Sequence, residues 1–543
     1  MVFARRSTTL LAAIIASCAM VLSLTACTSD NKTVVDGQTT VTSNSAGGVA
    51  VFTPSDGITL NQQTPLNKWA KLVPDLAKAL ADAGFKKGDI DHTTSDSLAK
   101  QSRAIQDFVV DHLSNNTTDD SGIAIAPDNM TLLVAPVVEA DASTRQYGDY
   151  VSQNLSTNDA TDGEATSDGE SSEDDSSKDD SSNTESDSTA SDEQAQAVDR
   201  LVSSLKLAKE SGMHVVLLGN SIEGYKPDAF VKFSDAQTIG KLQAEKMVSK
   251  LKLDKASKDN PKYIEVLLPY TAVDEKGNAN DSTFAQEAFR GIWQVLGSYY
   301  QKGVVESPSG TLDGKSTEND WQAVAYDAAK EGSTAKVLDK RLAKIDGQST
   351  LTRIDGIITM NDYIASEVVK ELDDLGYTGS AADINPQITI SGIVGNITGK
   401  KDLSRDAVPD PIKSPENDNA NDSSSSDDDA DEDTSASDKD RDSQWPLVTG
   451  YGAYVSNIPS IVNGKQWMTG MEDRQTIATD IAQACAKLNK DEALNSMPSI
   501  RNSEVGGVKK IPTISEPLLA VSASNLKSAL IDPGYISLAD AGL

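Results

Sequence analysis

Short continuously apolar runs alternate along this chain with longer segments whose apolar residues recur every three or four positions. The run at 47–56 (GGVAVFTPSD) reads as a buried strand entering a loop. Over 66–83, Leu72, Leu76 and Leu80 fall at i, i+4 and i+8 on one helix face, and Gly84 supplies the stop. A second helix over 98–113 carries Ile105, Phe108, Val109 and His112 on one side. The rhythm continues with strand 131–138, helix 194–210, strand 214–220, helix 236–251, strand 263–269 and helix 284–301. Beyond them come helix 334–344, strand 354–360, helix 363–375, strands 387–395 and 446–452, helix 476–488 and a closing segment 516–543.

The predicted strands are apolar throughout rather than alternating, the signature of parallel sheets covered on both faces. Two βα runs of this length exceed what one core usually holds, so the pattern predicts an α/β chain of two doubly wound lobes. Ligands of such sheets bind beyond the carboxyl ends of the strands. The residues just past those ends include Trp69, Asn220, Asp235, Asn280, Asn361, Asp362 and Tyr451. Asn and Asp offer donors and acceptors to vicinal hydroxyls, and an indole stacks on the C–H face of a sugar ring, although Asn and Asp also cap helices.

The N-terminus departs from this rhythm. Arg5 and Arg6 precede an apolar run of about fifteen residues, suited to a signal-peptide core and short for a membrane span. Leu-Thr-Ala-Cys follows, with Cys27 ahead of a polar stretch. This junction resembles the lipobox of bacterial lipoproteins, which implies removal of 1–26, lipidation of Cys27, a disordered tether over 27–46 and attachment to the outer face of the cytoplasmic membrane. With Cys18 in the removed segment, Cys485 is the one cysteine left in the body, so no internal disulfide can form. Cys485 shares an apolar helix face with Ile477, Ile481 and Leu488, as a structural thiol would.

A formal charge of −33 suggests an unusual surface, but its distribution removes that impression. The tract 158–193 contributes −13 and 415–442 contributes −10. Both are Ser/Asp-rich and nearly free of large apolar residues, so they are expected as disordered insertions over 156–193 and 415–442. The acidity argues against a nucleic-acid partner. Catalytic motifs are lacking: three histidines stand in no metal-ligand spacing, GNSIEG lacks the second glycine of a nucleophile elbow, and GNITGK is no P-loop. The one carboxylate pair available to a glycosidase is Asp235 with Asp362.

Longer motifs carry a family resemblance. LNKWAKLVPDLAKALADAGF, NANDSTFAQEAFRGIWQVLGSYYQKG, ITMNDYIASEVVKEL, QWPLVTGYGAYVSNIPSIVNGKQWMTG and the tail EPLLAVSASNLKSALIDPGYISLADAGL resemble the sugar-binding proteins of bacterial ABC importers. The likeness is to the ribose- and galactose-binding type, and most to its xylose and multiple-sugar branch. It implies a type I periplasmic-binding-protein fold, two lobes joined by three crossings that close on a sugar or oligosaccharide and engage a membrane permease. A monomer without cofactor, metal or catalysis is expected.

By this resemblance Lys68 and Trp69 stand at the family's Arg-Trp pair, Asn280 at a ligand-binding Asn, and Asn361 with Asp362 at an Asn-Asp turn. The implied layout is an N-terminal lobe over 47–222 completed by 471–495, and a C-terminal lobe over 226–470 completed by 510–543. Three positions depart from the branch: Gly219-Asn220 replaces Asp-Arg, Tyr451-Gly452 replaces Gln-Asp, and Glu472 replaces a lysine. Either the ligand differs, with Tyr451 and Trp69 stacking on an oligosaccharide, or binding has weakened. A ligand-sensing or surface-interaction lipoprotein with an altered site is the alternative. On the sequence, Trp69→Ala is expected to abolish most ligand affinity and leave the melting temperature of the empty protein nearly unchanged.

Overall fold

A computed structural model describes residues 46–55, 65–115, 125–138, 146–150, 153–156, 185–273 (185–192 by backbone alone), 279–343, 351–382 and 444–543. Cys27 with its leader and tether up to 45, the strand expected at 387–395, residues 157–184 of the first acidic tract and all of 415–442 lie outside the described residues.

Two sheets form the frame. The first contains β1 (Gly48–Pro54), β2 (Ile90–Ser95), β3 (Met130–Val134), β4 (His214–Leu218) and β5 (Ala229–Lys232). The second contains β6 (Lys262–Val266), β7 (Val305–Glu306), β8 (Gly356–Ile358), β9 (Leu447–Tyr451) and β10 (Met468–Met471). Late in the chain, β11 (Ile500–Val505) and β12 (Val508–Ser515) extend the first sheet, and β13 (Leu519–Ser522) pairs antiparallel along the edge of the second.

The spatial order is β11-β12-β5-β4-β3-β1-β2 in one lobe and β7-β6-β8-β9-β10-β13 in the other. The parallel core of each sheet therefore runs second, first, third, fourth, fifth, the doubly wound arrangement whose crevice opens beside the first strand. This is an α/β architecture of two doubly wound lobes, as the sequence pattern predicts.

Helices cover both faces of each sheet. On one side of the first lie α1 (Trp69–Asp82) and, from far along the chain, α8 (Arg474–Leu488); on the other lie α2 (Leu98–Asn115) and α3 (Glu185–Glu210). The second is flanked by α4 (Ala236–Leu251) with α5 (Thr283–Gln301), and opposite by α6 (Ser333–Arg341) with α7 (Asp362–Leu375). Cys485 is buried in the α1–α8 layer, where burial pushes its thiol up. Among the described residues no helix is long and apolar enough to cross a membrane.

Three sequence expectations change. First, β2 (IDHTTS) is polar and exposed along most of its length and gives no apolar run. It pairs on one side only, with β1, so it has one neighbour to satisfy and a solvent face. Second, residues 185–193 of the tract expected to be disordered are helical, because α3 propagates backward from its buried stripe of Ala197, Val198, Leu201, Leu205 and Ala208. Third, the lobe boundaries move. β5 belongs to the first sheet, so the first crossing lies at 233–235 rather than near 226. The second lies at 472–473. The third lies at 516–518, since β12 pairs with β5, which returns 510–515 to the first lobe.

Asn489, just after α8, shows how this lobe is assembled from both ends of the chain. Its Nδ2 donates to Ala46 O at 3.0 Å and Gly48 O at 3.1 Å, and its Oδ1 accepts from Thr131 Oγ1 at 2.6 Å. All four groups are removed from water. Replacing Asn489 by Ala strands three polar groups in the interior and should cost about 3 kcal/mol, read as a lower urea midpoint with an unchanged slope.

Candidate ligand cleft

The crossings meet in a buried polar cluster. Ser234, on the first crossing, donates its N–H to Glu472 Oε1 of the second at 2.6 Å. Its hydroxyl lies 2.5 Å from Tyr451 Oη, which also donates to Glu472 Oε1 at 3.4 Å. Glu472 N–H donates to Asn67 Oδ1 at 3.4 Å, so the entry to α1 joins the group. Burial pushes the Glu472 carboxyl up to about 7, with the Ser234 and Tyr451 hydrogen bonds holding it from rising further. Burial and the neighbouring Glu472 raise the Tyr451 phenol well above its ordinary range.

At the end of β8, Asn361 caps α7 by accepting from Ile364 N–H at 2.9 Å. The next residue, Asp362, is fully buried and braces three strand ends. Its Oδ1 accepts from Gln466 Nε2 at 2.7 Å, and its Oδ2 accepts from Tyr454 N–H and Thr469 Oγ1, each at 2.9 Å. Burial lifts this carboxyl up to about 6 against those donors. The approach requires a glycine at 450, where a Cβ would lie 2.1 Å from Asp362 Oδ1. A group so enclosed cannot work with Asp235 as a glycosidase pair, since no substrate oxygen reaches it.

The other expected residues are also engaged. Trp69, at the start of α1, is 3% exposed and packs edge-on against Tyr150 and Phe233, with ring centres 5.1 and 5.7 Å away. It is a core residue, so truncation should destabilise the empty protein, contrary to the sequence expectation. Asn220 is buried and ties two loops together: its Nδ2 donates to Pro136 O at 2.9 Å, and its Oδ1 accepts from Gln153 N–H at 3.0 Å. Asp235 caps α4 through Thr238 N–H at 2.7 Å and pairs with Lys232 at 2.8 Å. Against the penalty of partial burial, those partners hold its carboxyl below the usual range.

Lys68 pairs with Asp149 at 2.8 Å, and the Trp69 N–H donates to the other oxygen of the same carboxylate at 3.1 Å. Asn361 Nδ2 donates to Gln146 Oε1 at 3.1 Å. Tyr451 faces Tyr147 with ring centres 6.3 Å apart. The structure thus brings Lys68, Trp69, Asn361 and Tyr451 around one segment, 146–150, that the sequence reading passed over. Its signal was QYGDY, two tyrosines about a glycine, lodged in an otherwise polar insertion.

Asn280 stands apart from this group, on the rim beyond β6. Its Nδ2 donates to Thr271 O at 2.8 Å, and its own carbonyl accepts from Tyr270 Oη at 3.1 Å. The rim opens into a cavity of about 300 Å³ lined by residues that include Tyr270, Trp321, Tyr326 and Asp327. The rings of Tyr270 and Trp321 meet edge to face at 5.1 Å, and Asp327 Oδ1 accepts from Thr271 Oγ1 at 3.0 Å. Aromatic faces beside a fixed carboxylate suit a polyhydroxylated ring. The cluster at NDWQAVAYD was legible as aromatic, but its partner at Tyr270 lies some fifty residues away. No group of three or more His, Cys, Asp or Glu among the described residues could hold a metal ion.

No protein-family model and no curated protein matches the chain. Among solved structures, it is similar to an ABC transporter solute-binding protein from Clostridium phytofermentans with bound β-D-glucose. Identity is 17%, coverage is 91% of this chain and 99% of that one, and the TM-score is 0.45. A carbohydrate transporter solute-binding protein from Chloroflexus aurantiacus in complex with D-glucose gives 18%, 92% and 98%, and 0.43. A periplasmic ribose ABC transporter protein from Conexibacter woesei gives 13%, 90% and 96%, and 0.40.

The two buried acids predict a pH dependence. Their folded values, about 7 for Glu472 and about 6 for Asp362, stand above those of exposed Glu and Asp, about 4.3 and 3.9. Between roughly pH 4 and 7 the native chain therefore binds protons that the unfolded chain releases, and stability falls as pH rises through that window. The melting temperature should be higher at pH 5.5 than at pH 7.5, and Glu472→Gln should flatten the profile between them. An equally steep profile in the variant would remove Glu472 from this account.

Proposed function

We propose that the chain is an extracytoplasmic solute-binding lipoprotein, anchored through Cys27, that takes a sugar or oligosaccharide and presents it to an ABC importer permease. It binds without catalysis. One observation supports the reading: two sheets of the same strand order are linked by three crossings, and Ser234, Tyr451, Glu472 and Asn67 meet where the first two crossings do. A ligand touching both lobes only when they are shut shifts the hinge toward the closed form, which a permease can recognise. Of the eight candidates, Lys68, Asp235, Asn280, Asn361 and Tyr451 are proposed to meet sugar, while Trp69, buried in the core, shapes the wall behind them. Asn220 and Asp362 serve by fixing the loops that carry their neighbours, and Asn280 marks the rim where Trp321 and Asp327 extend the set.

A second reading, a ligand-sensing or surface-interaction lipoprotein, is favoured by the occupation of Lys68, Asn361 and Tyr451 from within the chain. The two separate in a thermal-shift screen of mono- and oligosaccharides. A ligand at one hundred times its Kd adds about 2.7 kcal/mol to the folded state and raises the melting temperature by several degrees. Asp327→Ala should leave the empty chain's melting temperature within about a degree and cancel most of that rise. No rise with any sugar would remove the importer reading.

A further inference from the structure

We propose that the segment Gln146–Tyr150 is a built-in occupant of the interlobe cleft, holding the lobes together without ligand and competing with an incoming saccharide for Lys68, Asn361 and Tyr451. The competition rests on the sugar-binding reading above; the occupation does not.

The segment reproduces the contacts expected of a ligand. Its Asp149 carboxylate takes the Lys68 ammonium and the Trp69 N–H through separate oxygens. The Gln146 side-chain carbonyl accepts from Asn361, and its backbone carbonyl accepts from Tyr454 Oη at 2.7 Å. Between these polar ends the Tyr147 ring, 1% exposed, stands 4.7 Å from Phe284 and 6.3 Å from Tyr451 by ring centres, within the apolar core of the second lobe. The turn is tailored to the fit: Gly148 has φ +96°, and a Cβ there would lie 2.6 Å from Asn67 O.

Both lobes are engaged at once. Asp149 N–H donates to Asn67 O at 2.8 Å, and the Tyr150 ring stacks on Phe233 at 4.8 Å, which fixes one half to α1 and the first crossing. Gln146 and Tyr147 grip the ends of β8 and β9 and the start of α5. A group that meets both lobes only in the shut form stabilises that form, whether it arrives from solution or on a tether. A tethered one also scales the apparent affinity down to the fraction of time it is displaced, so occupancy about nine-tenths of the time weakens binding about tenfold.

Amide hydrogen exchange on the unmodified full chain tests the occupation directly. Peptides covering Gln146–Tyr150 should exchange about a hundredfold or more slower than an unstructured peptide in the absence of any sugar. Exchange at the unstructured rate would overturn the proposal even if sugars bind elsewhere. Glucose, ribose, arabinose, xylose and their oligosaccharides are then added. Loss of protection in this segment supports competition, and full protection with sugar demonstrably bound refutes it. In titration calorimetry the double variant Tyr147→Ala, Asp149→Ala should bind such a sugar at least about tenfold tighter than the parent. Equal affinity in a variant of native far-UV dichroism also refutes competition. Binding by neither form, with the segment protected, would discard the sugar reading and leave the occupation standing.

Discussion

The contact between Glu472 and Ser234 is the constraint on which the two-lobed arrangement turns. Two crossings of the chain meet there out of reach of water, and a buried carboxyl accepts the N–H of one while belonging to the other. A lysine in its place would bring a buried cation with donors only, opposite an N–H that needs an acceptor. The tail adds a second layer to the same crossing: Tyr535 Oη donates to Asp473 at 3.0 Å, and the Arg474 guanidinium lies 4.2 Å over the Tyr535 ring while its Nε bonds Asp75 at 2.6 Å. α1, the second crossing and the last residues of the chain are thereby locked to one another. The lobe closure proposed above would turn about this polar knot.

Much of the architecture was legible because it is written in local periodicity. Leu72, Leu76 and Leu80 announce α1, and the apolar runs at β1, β3 and β4 announce buried parallel strands. What periodicity misses is whatever an edge or a long-range partner decides. β2 has no apolar run because only one side of it pairs, and residues 185–193 are helical through cooperation with a stripe further on. The boundary at the third crossing depended on a pairing between β12 and β5, nearly three hundred residues apart, which no window along the chain can display.

The site was legible in a different way. Position at or just past the strand ends put Asn361, Asp362 and Tyr451 among the candidates, but residue type could not say which way each would be spent. Asn, Asp and Tyr serve equally as caps, braces and ligand contacts, and here Asn361 caps α7, Asp362 braces three strands and Tyr451 bonds the hinge. The occupant at 146–150 and the rim of Trp321 with Tyr270 lay beyond reach because both are products of tertiary juxtaposition. The acidic tract drew attention by its charge, while the short aromatic turn ahead of it makes the contacts.

The reach of Asn489 back to Ala46 and Gly48 bears on how the molecule comes into being. A nascent chain that has emerged through residue 300 already holds β1 to β5 of the first sheet, yet α8, β11 and the sixth parallel strand, β12, are still to be made, and one face of that sheet has only α1 to cover it. The first lobe therefore cannot mature ahead of the second in vectorial order, and its completion waits on loop closures spanning more than four hundred residues. In such a topology the two lobes are completed together, by pairings that local structure alone cannot make.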